Sequence, residues 1–185
     1  SGGDARIRGI EIDAGYRTGG LSFNLGASYN DAKLSKDYCF DQSSATCDPA
    51  DLLAPKGTQL PITAKFKGNA VARYDFPVGG NDGHFQIAGV YEGKRRSDLR
   101  TIENGIQGNL PAYTAVDAST GISNKSWSLE FYVRNLFDKR GVVGNSIQCV
   151  ETVCGDPDGD TAIGGKIYYY MIQPRTMGIK FGTKF

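Results

Sequence analysis

LSFNLGASYND, residues 21–31, alternates apolar and polar side chains without a break. Leu21, Phe23, Leu25, Ala27 and Tyr29 share one parity, and Ser22, Asn24, Gly26, Ser28 and Asn30 the other. A period of two belongs to an extended strand with one face in an apolar medium and the other in a polar one. The same period continues on both sides. In ARIRGIEIDAGYR (5–17), Ile10, Ile12, Ala14 and Tyr16 oppose Gly9, Glu11, Asp13 and Arg17. In ITAKFKGNAVARYDF (62–76), Ile62, Ala64, Phe66, Ala70, Ala72, Tyr74 and Phe76 oppose Thr63, Lys65, Lys67, Asn69, Arg73 and Asp75. WSLEFYVRNLFD (127–138) sets Trp127, Leu129, Phe131, Val133 and Phe137 against Ser128, Glu130 and Arg134. HFQIAGVYEGKRR (84–96) and AYTAVDASTGI (112–122) carry weaker versions. In PRTMGIKFGTKF (174–185), Met177, Ile179, Phe181, Thr183 and Phe185 oppose Gly178, Lys180, Gly182 and Lys184. That makes seven strands, and helical periodicity is convincing nowhere.

Composition narrows the class. The 185 residues hold 25 glycines, ten tyrosines and nine phenylalanines, with 22% charged residues and a net charge of +1. A near-neutral chain has no bulk field to draw nucleic acid or another highly charged polymer. No apolar run approaches the roughly 18 residues of a membrane helix, but transmembrane barrels hide their apolar residues in alternation. SGGDARIRG at the start has no apolar core of a signal peptide, as expected of a mature secreted protein or an internal fragment. The four cysteines fall as two close pairs, Cys39 with Cys47 and Cys149 with Cys154, a usage that suits an oxidising compartment. Sequence leaves three connectivities open.

Strand length and loop order point to a membrane barrel. The strands run to about a dozen residues, where globular strands stop near 5 or 6 and a tilted membrane strand takes about 9–11. TGG, PVGGNDG and SNKS are tight turns, whereas the connections near 35–61, 98–111 and 140–166 are long. Short and long alternate strictly, as they do between the periplasmic and outer rims of such barrels. The expected fold is all-β, an antiparallel meander of about seven long strands forming part of a transmembrane β-barrel. Because bacterial single-chain barrels have an even strand number, seven strands imply part of a larger one.

GIEIDAGYRTGGLSFNLGASYNDAKL, LPITAKFKGNAVARYDF, LPAYTAVDASTGI, VRNLFDKRG and PRTMGIKFGTKF follow one another in this order. In order and spacing the set resembles the C-terminal end of a TonB-dependent outer-membrane receptor. Its most specific pieces are Asn135-Leu136-Phe137-Asp138, Pro174-Arg175-Thr176 and the terminal Phe185. The resemblance implies that residues 1–185 are the C-terminal part of a plugged barrel of about 22 strands, without the plug. It implies a multi-pass barrel in the Gram-negative outer membrane, in contact with its lipid. The parent would take up a ferric siderophore, cobalamin or oligosaccharide, engaging TonB through the missing N-terminal plug. Phe185 would be the signal read by the barrel-assembly machinery. The alternative is a free-standing small β-barrel, or an adhesin, with its apolar face turned inward.

Individual residues carry further expectations. On strand parity Phe85, Ile87 and Tyr91 face out, so Glu92, Lys94 and Arg96 face the lumen near the outer rim. There Lys94 and Arg96 are candidates to hold an anionic ligand such as a ferric siderophore; solvated rim charges or partners of lipopolysaccharide phosphates are the plainer readings. Tyr168 and Tyr170 fall on the lumen parity and are candidates for stacking on a ligand such as a glycan, with Tyr169 on the lipid parity. Trp127 reads as part of an interfacial aromatic girdle. Lys65, Lys67, Arg73, Asp117, Glu130 and Arg134 read as an inter-strand charge ladder that also lines the plug interface. The two cysteine pairs read as loop staples rather than a zinc site, since the lone His84 sits at the opposite rim. DPDGD (156–160) misses the calcium-loop spacing and reads as a solvated turn. With no nucleophile partnered to His84 and no phosphate loop, the chain is expected to be no enzyme and to need no metal or other cofactor.

Overall fold

The computed structural model describes residues 4–41, 47–147 and 167–183. Its frame is one sheet of seven antiparallel strands: β1 (Ala5–Thr18), β2 (Leu21–Leu34), β5 (Phe66–Val78), β6 (Asn81–Glu92), β7 (Tyr113–Ser123), β8 (Trp127–Arg134) and β11 (Thr176–Thr183). They pair in chain order, β1-β2-β5-β6-β7-β8-β11, which is a meander. Three turns close one rim. Gly79 and Gly80 take φ of 54° and 80°, a left-handed region that glycine enters without Cβ strain. Asn124 closes the β7–β8 turn with its own side chain, its Oδ1 accepting the Ser126 and Trp127 N–H groups at 2.8 and 3.0 Å.

The register sorts the two faces. Directly paired residues share a face, and the pairing aligns Ala14, Leu25, Ala70, Gly89 and Val116 in one row. Another row runs Leu21, Tyr74, Phe85, Thr120, Phe131 and Ile179. The small aliphatic row lies between aromatic ones, with Tyr29, Phe66 and Tyr91 towards the looped rim and Tyr74, Phe76 and Trp127 towards the turns. The apolar band thus carries aromatic rings at both ends. Nothing among the described residues packs on this face: Ile10, Phe85 and Ile179 are 68%, 50% and 71% exposed.

The buried residues lie elsewhere. Ala32, Leu34, Ala54, Ala64 and Leu110 are the buried apolar residues among those described, and all sit at the looped rim. There the long connections fold over the strand ends. The first carries the small hairpin β3 (Tyr38–Cys39) and β4 (Leu52–Ala54), joined by a 3-10 turn at Pro49–Asp51. The second carries the helix α1 (Thr101–Gln107), and the third the hairpin β9 (Val142–Ile147) and β10 (Ile167–Met171).

Three expectations need correction. The third long strand begins at Phe66, not Ile62, because Ile62 takes φ 59° after Pro61 and donates its N–H to Arg96 O at 2.9 Å. A helix exists after all: TIENGIQ is too short and too rich in Gly and Asn to show periodicity, and its support is tertiary. Buried Asn104 accepts from the Ser97 N–H and hydroxyl at 3.1 and 3.2 Å. Third, β10 belongs to a separate two-stranded hairpin, so lipid and lumen parity does not extend to Tyr168, Tyr169 and Tyr170.

Candidate functional site

The looped rim and the polar face below it hold the chemistry. On the polar face, cross-strand pairs carry opposite charges, the arrangement that stabilises adjacent strands. Lys67 Nζ lies 3.0 Å from Glu92 Oε1, and Lys180 Nζ 2.8 Å from Glu130 Oε1. Glu130 Oε2 also lies 3.4 Å from His84 Nε2, whereas Arg73 pairs along its own strand with Asp75 at 2.9 Å. Tyr132 carries cations above its ring, Lys180 Nζ at 4.8 Å and Arg134 Cζ at 5.5 Å from the centroid. Gly178 makes room for that ring, since a Cβ there would fall 2.6 Å from Tyr132 Cζ. Lys67 and Glu130 thus stand in an inter-strand ladder, whereas Arg73 pairs within β5 and Arg134 lies over the Tyr132 ring of its own strand. Asp117 does something else: its carboxylate accepts the Asn135 N–H at 2.8 Å and caps a turn.

That turn is Asn135-Leu136-Phe137-Asp138. Asn135 and Asp138 take φ of 50° and 49°, a conformation that Asn and Asp tolerate better than other residues with a Cβ. Buried Asn135 donates from Nδ2 to Lys139 O at 3.0 Å and to Gln173 O at 2.8 Å, and its Oδ1 accepts the Lys139 N–H at 2.8 Å. Asp138 Oδ1 accepts the Arg175 N–H at 2.9 Å. The tract is therefore a latch that ties the end of β8 to the start of β11 across the third long connection.

Arg95 organises the rim. It is 4% exposed, and its guanidinium donates to Val142 O at 2.6 Å and Val143 O at 3.4 Å. Its Cζ lies 5.7 Å from the Tyr113 ring centroid, and its Nε stands 3.9 Å from Glu92, within ion-pair but not hydrogen-bond reach. Arg95 thus carries the end of β6 to the β9–β10 hairpin. Asn145 Nδ2 adds a bond from that hairpin to Gln107 O of α1 at 3.4 Å. Asp98, in the same connection, has its carboxyl held below the usual carboxylate range by hydrogen bonds from Arg100, whose Nη2 lies 3.0 Å away.

The proposed ligand residues are not brought together. The strand ends at Glu92, so the parity argument lapses before Lys94 and Arg96. Lys94 is exposed, and Arg96 is half-buried with its Nε donating to Asp98 O at 3.2 Å. Tyr168 and Tyr170 are exposed on the β9–β10 hairpin, with the Tyr170 hydroxyl 3.0 Å from Ser146 Oγ. A disulfide joins Cys39 to Cys47. Cys149, Cys154, the DPDGD turn and Phe185 lie outside the described residues. Sequence reasoning missed Arg95 and Asn104. A charge on the outward parity of Phe85, Ile87 and Tyr91 is no signal for Arg95, because Arg8 and Asp31 carry charge on the same outward parity inside β1 and β2.

The profile described as "TonB dependent receptor-like, beta-barrel" matches residues 1–136. The chain belongs to this family. Two solved structures share the receptor-barrel fold at a TM-score of 0.65. One is the siderophore receptor PiuA from Acinetobacter baumannii, 19% identical, and the other the ferric yersiniabactin uptake receptor FyuA from Yersinia pestis, 17% identical. The likeness covers 96% of this chain but 21% and 23% of theirs, so the chain spans about a fifth of a receptor of that size. At such identity the likeness speaks to the fold alone. No curated protein matches the sequence.

Proposed function

We propose that the chain is a wall segment of a TonB-dependent outer-membrane receptor, the C-terminal part of its barrel, with the plug elsewhere in the parent protein. The observation that carries this reading is the sorting of the seven-stranded sheet: one face is apolar except at the looped end of the β1–β2 hairpin, and the other is polar and carries cross-strand ion pairs. The apolar face meets outer-membrane lipid and the polar face meets the lumen and plug. The looped rim faces outward, where its three connections help capture ligand. The parent imports a ferric siderophore, driven by TonB and the inner-membrane proton gradient. Of the two structures of like fold, one is named as a siderophore receptor and the other as a ferric yersiniabactin uptake receptor, which supports a ferric ligand over cobalamin or an oligosaccharide. The segment turns nothing over; its part is to hold and admit. Phe185 addresses the strand to the barrel-assembly machinery.

The test is uptake by whole cells. Cells with and without the receptor are given iron-labelled siderophores, labelled cobalamin or labelled oligosaccharides, each with and without a protonophore. Receptor-dependent, protonophore-sensitive iron accumulation is expected. The same dependence for cobalamin or sugar alone would reassign the ligand. Recovery of the protein in a detergent-free aqueous fraction would sink the membrane reading itself.

A further inference from the structure

We propose that the apolar face of the β1–β2 hairpin ends, at the looped rim, in a binding site for the phosphate groups of a membrane lipid; the proposal rests on the membrane reading above. Along the outward parity of all seven long strands, the charged residues are Arg6, Arg8, Asp31 and Lys33. They are gathered at one end of one hairpin, where Arg6 pairs with Lys33 and Arg8 with Asp31 across the ladder. Elsewhere the same parity carries only apolar, small or uncharged polar side chains.

Depth explains why charge stops where it does. From Ile10 to Thr18 is eight steps, about 26 Å along the strand and about 20 Å along the membrane normal at a tilt of about 40°. That approaches the roughly 25 Å apolar band of such barrels, so Arg8 and Arg6 lie one and two alternations beyond its edge. Lipid phosphates sit at that level. Ile10 and Tyr29, one alternation below, offer apolar surface to the acyl chains of the same lipid.

The local charge is positive and largely uncompensated. Arg6, Arg8, Lys33 and Lys56 line a cleft of about 270 Å³ together with one carboxylate, Asp31. Lys33 Nζ spends its charge on Asp31 Oδ1 at 2.9 Å, and neighbouring Lys36 pairs with Asp4 at 2.7 Å. No carboxylate among the described residues pairs with Arg6, Arg8 or Lys56. Lys56 is brought over the hairpin by its own N–H donating to Asp37 Oδ1 and by Gly57 N–H donating to Leu34 O at 2.9 Å. Two guanidinium forks and an ammonium around one cleft match the oxygens of a phosphomonoester. The position at the edge of the band selects a lipid-borne phosphate over a free one.

The experiment uses the full-length receptor extracted from outer membranes in detergent and measured by native mass spectrometry. The probes are bis-phosphorylated lipid A, its dephosphorylated form, and inorganic phosphate as competitor. Wild type should retain lipid A, and bind the dephosphorylated lipid at least about tenfold more weakly, as expected when charge-assisted hydrogen bonds are lost. R6Q/R8Q should lose lipid A by the same factor. Equal retention by wild type and R6Q/R8Q overturns the site, and so does failure of wild type to distinguish the two lipids. Displacement of lipid A by inorganic phosphate at equal occupancy assigns the site to free phosphate and overturns the lipid. Should R6Q/R8Q not fold, R6K/R8K and K56Q are read against the same probes; unchanged retention in both overturns the site. A protein soluble without detergent sinks the membrane reading, whereas a folded outer-membrane barrel blind to phosphate sinks only this site.

Discussion

Replacing Asn135 by Ala should open the latch between β8 and β11. The substitution removes three side-chain hydrogen bonds, to Lys139 O, Gln173 O and Lys139 N–H. Lys139 is exposed, so some of the freed groups reach water, and each lost bond then costs about 1 kcal/mol. Alanine must also hold φ near 50°, a left-handed conformation that costs about 1–2 kcal/mol more. The sum is about 4–5 kcal/mol of local stability, or on the order of 10³-fold in the opening equilibrium. Hydrogen exchange at the Arg175 and Leu136 amides reports it, because their own acceptors, Asp138 Oδ1 and Val116 O, are untouched by the change. Both amides should exchange on the order of 10³-fold faster than in wild type if opening is local. Asn135→Gly loses the bonds but not the backbone fit, and should fall about 1–2 kcal/mol short of the alanine effect. Exchange at Arg175 and Leu136 within threefold of wild type would refute the latch. Equal damage from Gly and Ala would refute the backbone share.

Other perturbations probe the sheet and the rim. Ile87→Arg, near the middle of the apolar face, should cost about 2–4 kcal/mol in the folded barrel, whereas Ala88→Arg on the polar face should cost under about 1. Urea titration of the reconstituted receptor compares the two, and equal costs would remove the lipid assignment. Gly178→Ala should destabilise the β8–β11 pair by about 1–3 kcal/mol, since its Cβ would meet the Tyr132 ring, an effect read by the same titration. Asp98 gives the rim a pH dependence. Its carboxyl titrates below its ordinary 3.8, so the unfolded loop binds more protons and stability is lost as pH falls from 3.8 through the lowered value. Exchange at residues 97–108 should therefore quicken below about pH 4 once corrected for the intrinsic rate, and Asp98→Asn should abolish that step.

Much of the sheet is legible in residue order because strand alternation is a local property. Each of the seven strands writes its own two faces, and the Gly and Asn turns fix which strand comes next. Family membership follows from the same ordered segments, with Asn135 to Asp138 visible as a tract although its purpose is not. The rim is another matter. The parity that places Ile87 correctly fails at Lys94 and Arg96, because the strand stops at Glu92 and the chain thereafter answers to distant partners. Arg95 is buried only because Val142, Val143 and Tyr113 arrive there from two other segments. Asn104 makes a helix of a sequence without helical periodicity because Ser97 and Gly108 meet its side chain and carbonyl. The grouping of Arg6, Arg8, Lys33 and Lys56 likewise depends on register and on a loop folding back over the hairpin. Alternation along one strand is set by the pleat and so is readable in sequence. Which loop residues meet at the rim is decided by contacts between segments tens of residues apart, and only the tertiary structure holds those.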